Sequence, residues 1–141
     1  EFAVKAASGG MMEVELGRLA LTNGQSAAVK QFGQGMIDDH SKANEELKAW
    51  AQAKNVTLPT APDEDKQDKI RKLSEKTGAD FDREYMDFMV KDHKDDIDMF
   101  KDQAEKGGDA ELKAWAQGKV PTLEHHLTMA QEIKDNLKNN K

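Results

Sequence analysis

Four side chains capable of hard chemistry stand on helical stripes where apolar residues belong. Glu13 interrupts the run Phe2, Ala6, Gly9, Leu16 and Ala20, and His40 interrupts Val29, Phe32, Met36, Ala43, Leu47 and Trp50. His93 falls among Phe81, Tyr85 or Met86, Met89, Ile97, Phe100 and Ala104, and His126 among Leu112, Trp115 or Ala116, Leu123, Leu127, Ala130, Ile133 and Leu137. The steps of three and four residues are those of a helix face turned to a core. Imidazole and carboxylate are good donors to zinc, iron or copper, so Glu13, His40, His93 and His126 are the expected ligands of one transition-metal ion. Met12, Met36, Met89 and Met129 lie close by in sequence. A thioether would bias such a site toward copper(I), although methionine is more often a core filler.

The alternative is structural. A histidine on an apolar face is commonly a buried, hydrogen-bonded side chain, and Glu13 could be the partner of one of them. The neighbours invite duller roles. His125 lies about 100° around its helix from His126 and should be exposed. Asp39, Asp92 and Glu124 fit solvated faces, and Trp50 and Trp115 fit packing near helix ends; Tyr85 could donate a hydrogen bond into the site, but a core position with its hydroxyl at the edge is the expectation. A di-iron carboxylate centre needs Glu-x-x-His on two helices, yet Ile37, Val90 and Leu123 stand three before the histidines. With no glycine-rich phosphate loop, no acid and base beside a nucleophile and no haem-attachment motif, no residue is assigned to catalysis or to an organic cofactor.

The elements that must carry these groups are helices. The first is expected from about Phe2 to Thr22, with Gly9 and Gly10 as a place where it frays or where another backbone comes close. Asn23-Gly24 stops it, and Ser26 caps a second helix reaching about Lys54. The stretch NVTLPTAPD, Asn55 to Asp63, holds two of the three prolines and forms a long crossover. A short charged helix follows, ending near Thr77-Gly78, then a long helix from about Ala79 to Lys106. Gly107-Gly108 ends that one, and Asp109 can cap the last, which Pro121 should kink or restart. The polar tail DNLKNNK should fray. ELKAWAQ occurs twice, from Glu46 and from Glu111, at unequal distances from the preceding Asp-His pair, so the copies are similar helix ends and not an exact tandem repeat.

Counted from the two hairpin turns at 1.5 Å per residue, Glu13 and His40 differ in height by about 7 Å, and His93 and His126 by about 6 Å. All four should lie near mid-bundle within about a turn and a half.

Composition sets the class. A chain of 141 residues with 37% apolar and 34% charged residues fits a single helical domain, rich in Ala, Leu, Met, Lys, Glu and Gln. The net charge of -6 is interspersed, which argues against a nucleic-acid or anionic-membrane partner. No cysteine is present, so disulfides and thiolate chemistry are excluded. No run is long enough to span a membrane, and EFAVKAASGG lacks the build of a signal peptide, as in a mature or trimmed form.

The segments V-x2-F-x3-M-x2-DH-x3-N-x2-L from Val29, FD-x2-Y-x3-M-x2-DH from Phe81 and P-x-L-x2-HL-x2-A from Pro121, with the stripe from Phe2 to Ala20, resemble a bacterial ferritin-like family, domain-of-unknown-function family 4142. The likeness runs from Phe2 to about Leu137, and its members are often labelled predicted outer-membrane proteins. It implies an all-α, ferritin-like antiparallel four-helix bundle, two helical hairpins joined by a long crossover with a short extra helix. It also implies a periplasmic or outer-membrane-associated location. Glu13, His40, His93 and His126 stand on the family's motif positions, but no activity comes with the resemblance.

The function expected is a periplasmic bundle that binds a single transition-metal ion for storage, buffering or redox protection. The alternatives are a metal-free, stress-associated interaction protein with an envelope partner and structural histidines, and a mononuclear metalloenzyme, which would need an open coordination position.

Overall fold

Three helices begin at a side-chain oxygen that takes a backbone N–H three residues on. In the computed structural model, which describes residues 1–139, the helices are α1 (Phe2–Asn23), α2 (Ala27–Ala53), α3 (Glu64–Ser74), α4 (Gly78–Lys106) and α5 (Ala110–Asn139). Ser26 caps α2 through the Val29 amide at 3.5 Å, Asp63 caps α3 through Lys66 at 3.0 Å, and Asp109 caps α5 through Leu112 at 2.9 Å. Each such cap is worth about 1 kcal/mol. Asn55, just past α2, takes the left-handed conformation at φ 58°, and Gly78 turns the chain into α4 at φ 62°. The structure has the expected all-α class, in hairpin-crossover-hairpin order, and no strand occurs among the described residues.

Two units divide the chain within α4, one from Glu1 to Tyr85 and one from Met86 onward. In the first, α1 and α2 form an antiparallel hairpin with exceptionally close backbones. A Cβ on Gly17 would lie 2.6 Å from the Gly33 carbonyl oxygen, and one on Gly33 would lie 2.6 Å from Ala20 Cβ. The Asn44 amide occupies the place of a Cβ on Gly10. Of the two readings of Gly9-Gly10, fraying is excluded, since α1 is continuous there; the close approach at Gly10 is by a side chain.

Asp82, buried at the start of α4, accepts from the Gln25 and Ser26 amides at 3.0 and 2.8 Å and so fixes the α1–α2 turn. Ser8 on α1 donates to the Asp63 carboxylate at 3.1 Å and accepts the Asp63 amide at 2.9 Å. Asn23 donates to the Ser74 and Lys76 carbonyls at 3.2 and 3.0 Å. These bonds tie α3 along α1.

In the second unit, the remainder of α4 and α5 form another antiparallel hairpin. Its rungs are Asp87 with Lys134 at 3.5 Å, Lys101 with Glu124 at 3.3 Å, and Phe100 with Trp115 at 5.5 Å between rings. α5 passes through Pro121 as one uninterrupted helix, so the expected restart does not occur. Pro121 and Gln117 are both exposed, and the carbonyl at 117 that loses its amide partner can turn to water at little cost. α5 also stays helical to Asn139, against the expected fraying; the rest of that tail, Asn140 and Lys141, lies outside the described residues. No described helix is long and apolar enough to cross a membrane.

Candidate metal centre

The first unit contributes Glu13 and His40. Glu13 is 0% exposed on α1 and His40 9% exposed on α2. Gly10 against Asn44 and Gly17 against Gly33 bracket the register of the hairpin. Glu13, three residues past the first contact and four before the second, therefore faces the turn 37–41 that carries His40. By this register the backbone positions of Glu13 and His40 are within about three residues of level, roughly 4.5 Å of rise, closer than the separation of about 7 Å expected by counting from the turn. The count went astray because the helices meet at Gly17 and Gly33 with a stagger that loop length does not reveal. A carboxylate fully removed from water must be hydrogen-bonded, neutralised or cation-bound.

Tyr85 also belongs to this unit and departs from expectation. It is 0% exposed, stacked on Phe81 at 5.3 Å and edge-on to Phe32 at 6.1 Å, with its hydroxyl sealed from solvent instead of at the edge. Burial, reinforced by the Glu13 charge, holds the phenol well above the ordinary tyrosine pKa.

The second unit contributes His93 and His126, both fully buried, with ring centroids 5.4 Å apart at an interplanar angle of 80°. His93 Nδ1 lies 2.9 Å from the Met89 carbonyl oxygen one turn back on α4. A carbonyl only accepts, so Nδ1 carries the proton and the lone pair of the neutral ring belongs to Nε2. Burial, with His126 adding to it, lowers the His93 pKa to about 4 against the smaller opposing pull of the Met89 carbonyl and Asp92. The ring is therefore neutral at pH 7. A neutral imidazole oriented by a backbone carbonyl on its far nitrogen is the usual state of a metal-ligating histidine.

Among the described residues, donor chemistry for a metal ion is offered in the first unit by His40 and Glu13, and in the second by His93, His126, Asp92 and Asp96. His125 is exposed, as expected, and Glu124 is an exposed partner of Lys101. Asp92 departs from the solvated role expected of it, being half-buried with Oδ2 sealed from solvent. Asp92 and Asp96 were legible only as neighbours of His93, one residue before it and three after.

The protein so defined is an all-α chain with Glu13, His40, His93 and His126 among the ionisable groups buried on its helices. It belongs to the family described as Domain of unknown function (DUF4142), whose model matches residues 1–133. No curated protein matches the chain. Among solved structures, the crystal structure of a DUF305 protein from Streptomyces coelicolor, assigned as secreted, is similar at a TM-score of 0.83 and 14% identity. The similarity covers 97% of this chain and 90% of that one, and it concerns the fold alone.

Proposed function

We propose that this protein is a ferritin-like bundle of the bacterial envelope that binds one transition-metal ion through Glu13, His40, His93 and His126, for storage, buffering or redox protection. The observation that carries the reading is the His93–His126 pair, two buried imidazoles 5.4 Å apart, one of them held neutral with its Nδ1 proton committed to Met89. Two such rings can turn lone pairs to one ion, and the buried Glu13 carboxylate offers the negative charge a divalent cation would balance. The envelope location draws on the family resemblance and on the secreted assignment of the similar DUF305 protein.

The test is metal analysis of untagged protein, wild type against His93→Ala. Substoichiometric metal in the variant and near one equivalent in the wild type are expected; equal, negligible metal in both would sink the proposal. The bond from His93 to Met89 equally suits a structural histidine. On that second reading chelator leaves the melting temperature unchanged, and His93→Asn lowers stability alone.

A further inference from the structure

The crossover between α2 and α3 is tied down at both ends. Its Val56 amide donates to the Ala51 carbonyl at 2.8 Å, and at the far end Ser8 and Asp63 exchange two hydrogen bonds, at 3.1 and 2.9 Å. Between these anchors Leu58, Pro59 and Pro62 line a cleft of about 530 Å³ against the α1–α2 hairpin, wholly within the first unit. Sites for small organic molecules span roughly 300–1,000 Å³. The helices add Met11 and Val14 from α1, and Ser41 and Asn44 from α2, to the lining. Most of that surface is apolar, and the two polar groups stand one turn apart on α2. Ser41 and Asn44 are half-buried, and neither side chain makes a hydrogen bond to another described residue. The charged groups of the cleft are exposed and already matched within their own helices, Arg18 with Glu15 at 3.7 Å and Lys48 with Glu45 at 3.4 Å. With two charges of each sign, the cleft offers no net charge to select an ion.

We propose that this cleft binds a neutral amphipathic small molecule, its apolar body against Met11, Val14, Leu58 and Pro59 and its hydroxyl or amide head hydrogen-bonded to Ser41 and Asn44. The Asn44 amide both donates and accepts, as does the Ser41 hydroxyl, so either kind of head is satisfied. An ionised head would have to displace a partner from each charged side chain, whereas a neutral one meets two polar groups that have none. The two prolines restrict the crossover before the ligand arrives, so little chain entropy is lost on binding. Neither Glu13 nor His40 lines the cleft, and the assignment is independent of the metal-binding function.

The experiment is a titration of the untagged protein with N-phenyl-1-naphthylamine, a neutral dye that brightens in apolar surroundings. One saturable site is expected, and 1-decanol should displace the dye from it. Decanoate, with a chain of the same length and a charged head, should displace it at least tenfold less well. Ser41→Leu fills the cleft from α2 and should weaken dye binding at least tenfold while the circular dichroism and melting temperature stay as in the wild type. Thr60→Trp fills it from the exposed crossover without altering a helix and should do the same, so the location does not hang on one variant. Asn44→Ala should weaken decanol binding roughly fivefold, the worth of one hydrogen bond. A wild type that binds no dye saturably, or dye affinity unchanged in both filling variants, overturns the proposal. Decanoate displacing the dye as well as decanol does overturns the neutral class of ligand, and decanol affinity unchanged in Asn44→Ala overturns the placing of the head.

Discussion

His93 and His126 bring their rings to 5.4 Å, nearly perpendicular, in a part of the protein closed to water. The first consequence is acid sensitivity. Burial and the neighbouring ring lower the His93 pKa from 6.5 to about 4. Above pH 6.5 the ring is neutral both folded and unfolded, and it makes no difference to stability through protonation. Between 6.5 and about 4 only the unfolded chain takes up the proton, so stability falls with pH, and below about 4 the loss is complete. The total is roughly 3 kcal/mol. Urea unfolding from pH 7.5 to 3.5 should show this loss in the wild type, and His93→Gln should flatten part of the slope. An unchanged slope in the variant would contradict the buried, neutral state of the ring.

The same neutrality prepares His93 to bind metal. If an ion is held by the four proposed ligands, zinc at a hundred times its Kd should stabilise the fold by about 2.7 kcal/mol, raising Tm by several degrees. Chelator should reverse the shift, and so should mild acid as the ligands protonate. His126→Ala and Glu13→Gln should each remove most of it. Scanning calorimetry with and without zinc is the measurement, and a Tm indifferent to zinc in all three proteins would leave the histidines with a structural role.

The stripes of apolar residues were legible because a helix buries every third or fourth position, and the four polar interruptions stood out against them. Glu13, His40, His93 and His126 are all buried, as that pattern requires. What the pattern could not carry was stagger. Small residues set how closely helices approach, so Gly17 against Gly33, and not the turn at Gly24, decides which residue of α2 lies opposite Glu13. The restart that Pro121 offered as one of its two outcomes does not occur, for a related reason. Its missing amide matters only where the freed carbonyl is shut away from water, and an exposed face cannot be told from one proline. Asp82 was missed because a carboxylate on a charged helix reads as solvated, while its partners, the amides of Gln25 and Ser26, carry no side-chain signature.

That carboxylate should matter to folding more than any surface charge. Asp82 is buried and takes two backbone amides at 3.0 and 2.8 Å. Asp82→Ala leaves both donors of the α1–α2 turn unmet and should cost about 2–4 kcal/mol, with Asp82→Asn costing roughly half, since one side-chain oxygen survives. Urea midpoints measure both. A loss under about 0.5 kcal/mol in the alanine variant, the usual range for surface substitutions, would show that the turn does not depend on this residue.

Two glycine-to-alanine changes in α1 and α2 should have opposite signs. At Gly17 the new Cβ would stand 2.6 Å from the Gly33 carbonyl oxygen, a contact with backbone that only a shift of the whole helix can relieve. The expected cost is about 1–3 kcal/mol, as for other overpacked core sites. At Gly35, inside α2, nothing lies within 4 Å of the added carbon. There alanine narrows the freedom of the unfolded chain and favours the helix, for a gain of about 0.5–1 kcal/mol. Because both substitutions add the same methyl to the same hairpin, helix propensity alone predicts stabilisation in each. A destabilised Gly17→Ala beside a stabilised Gly35→Ala can then come only from the close approach of α1 to α2, the contact that brings His40 near the level of Glu13; equal gains in thermal melting would mean that the two helices stand further apart.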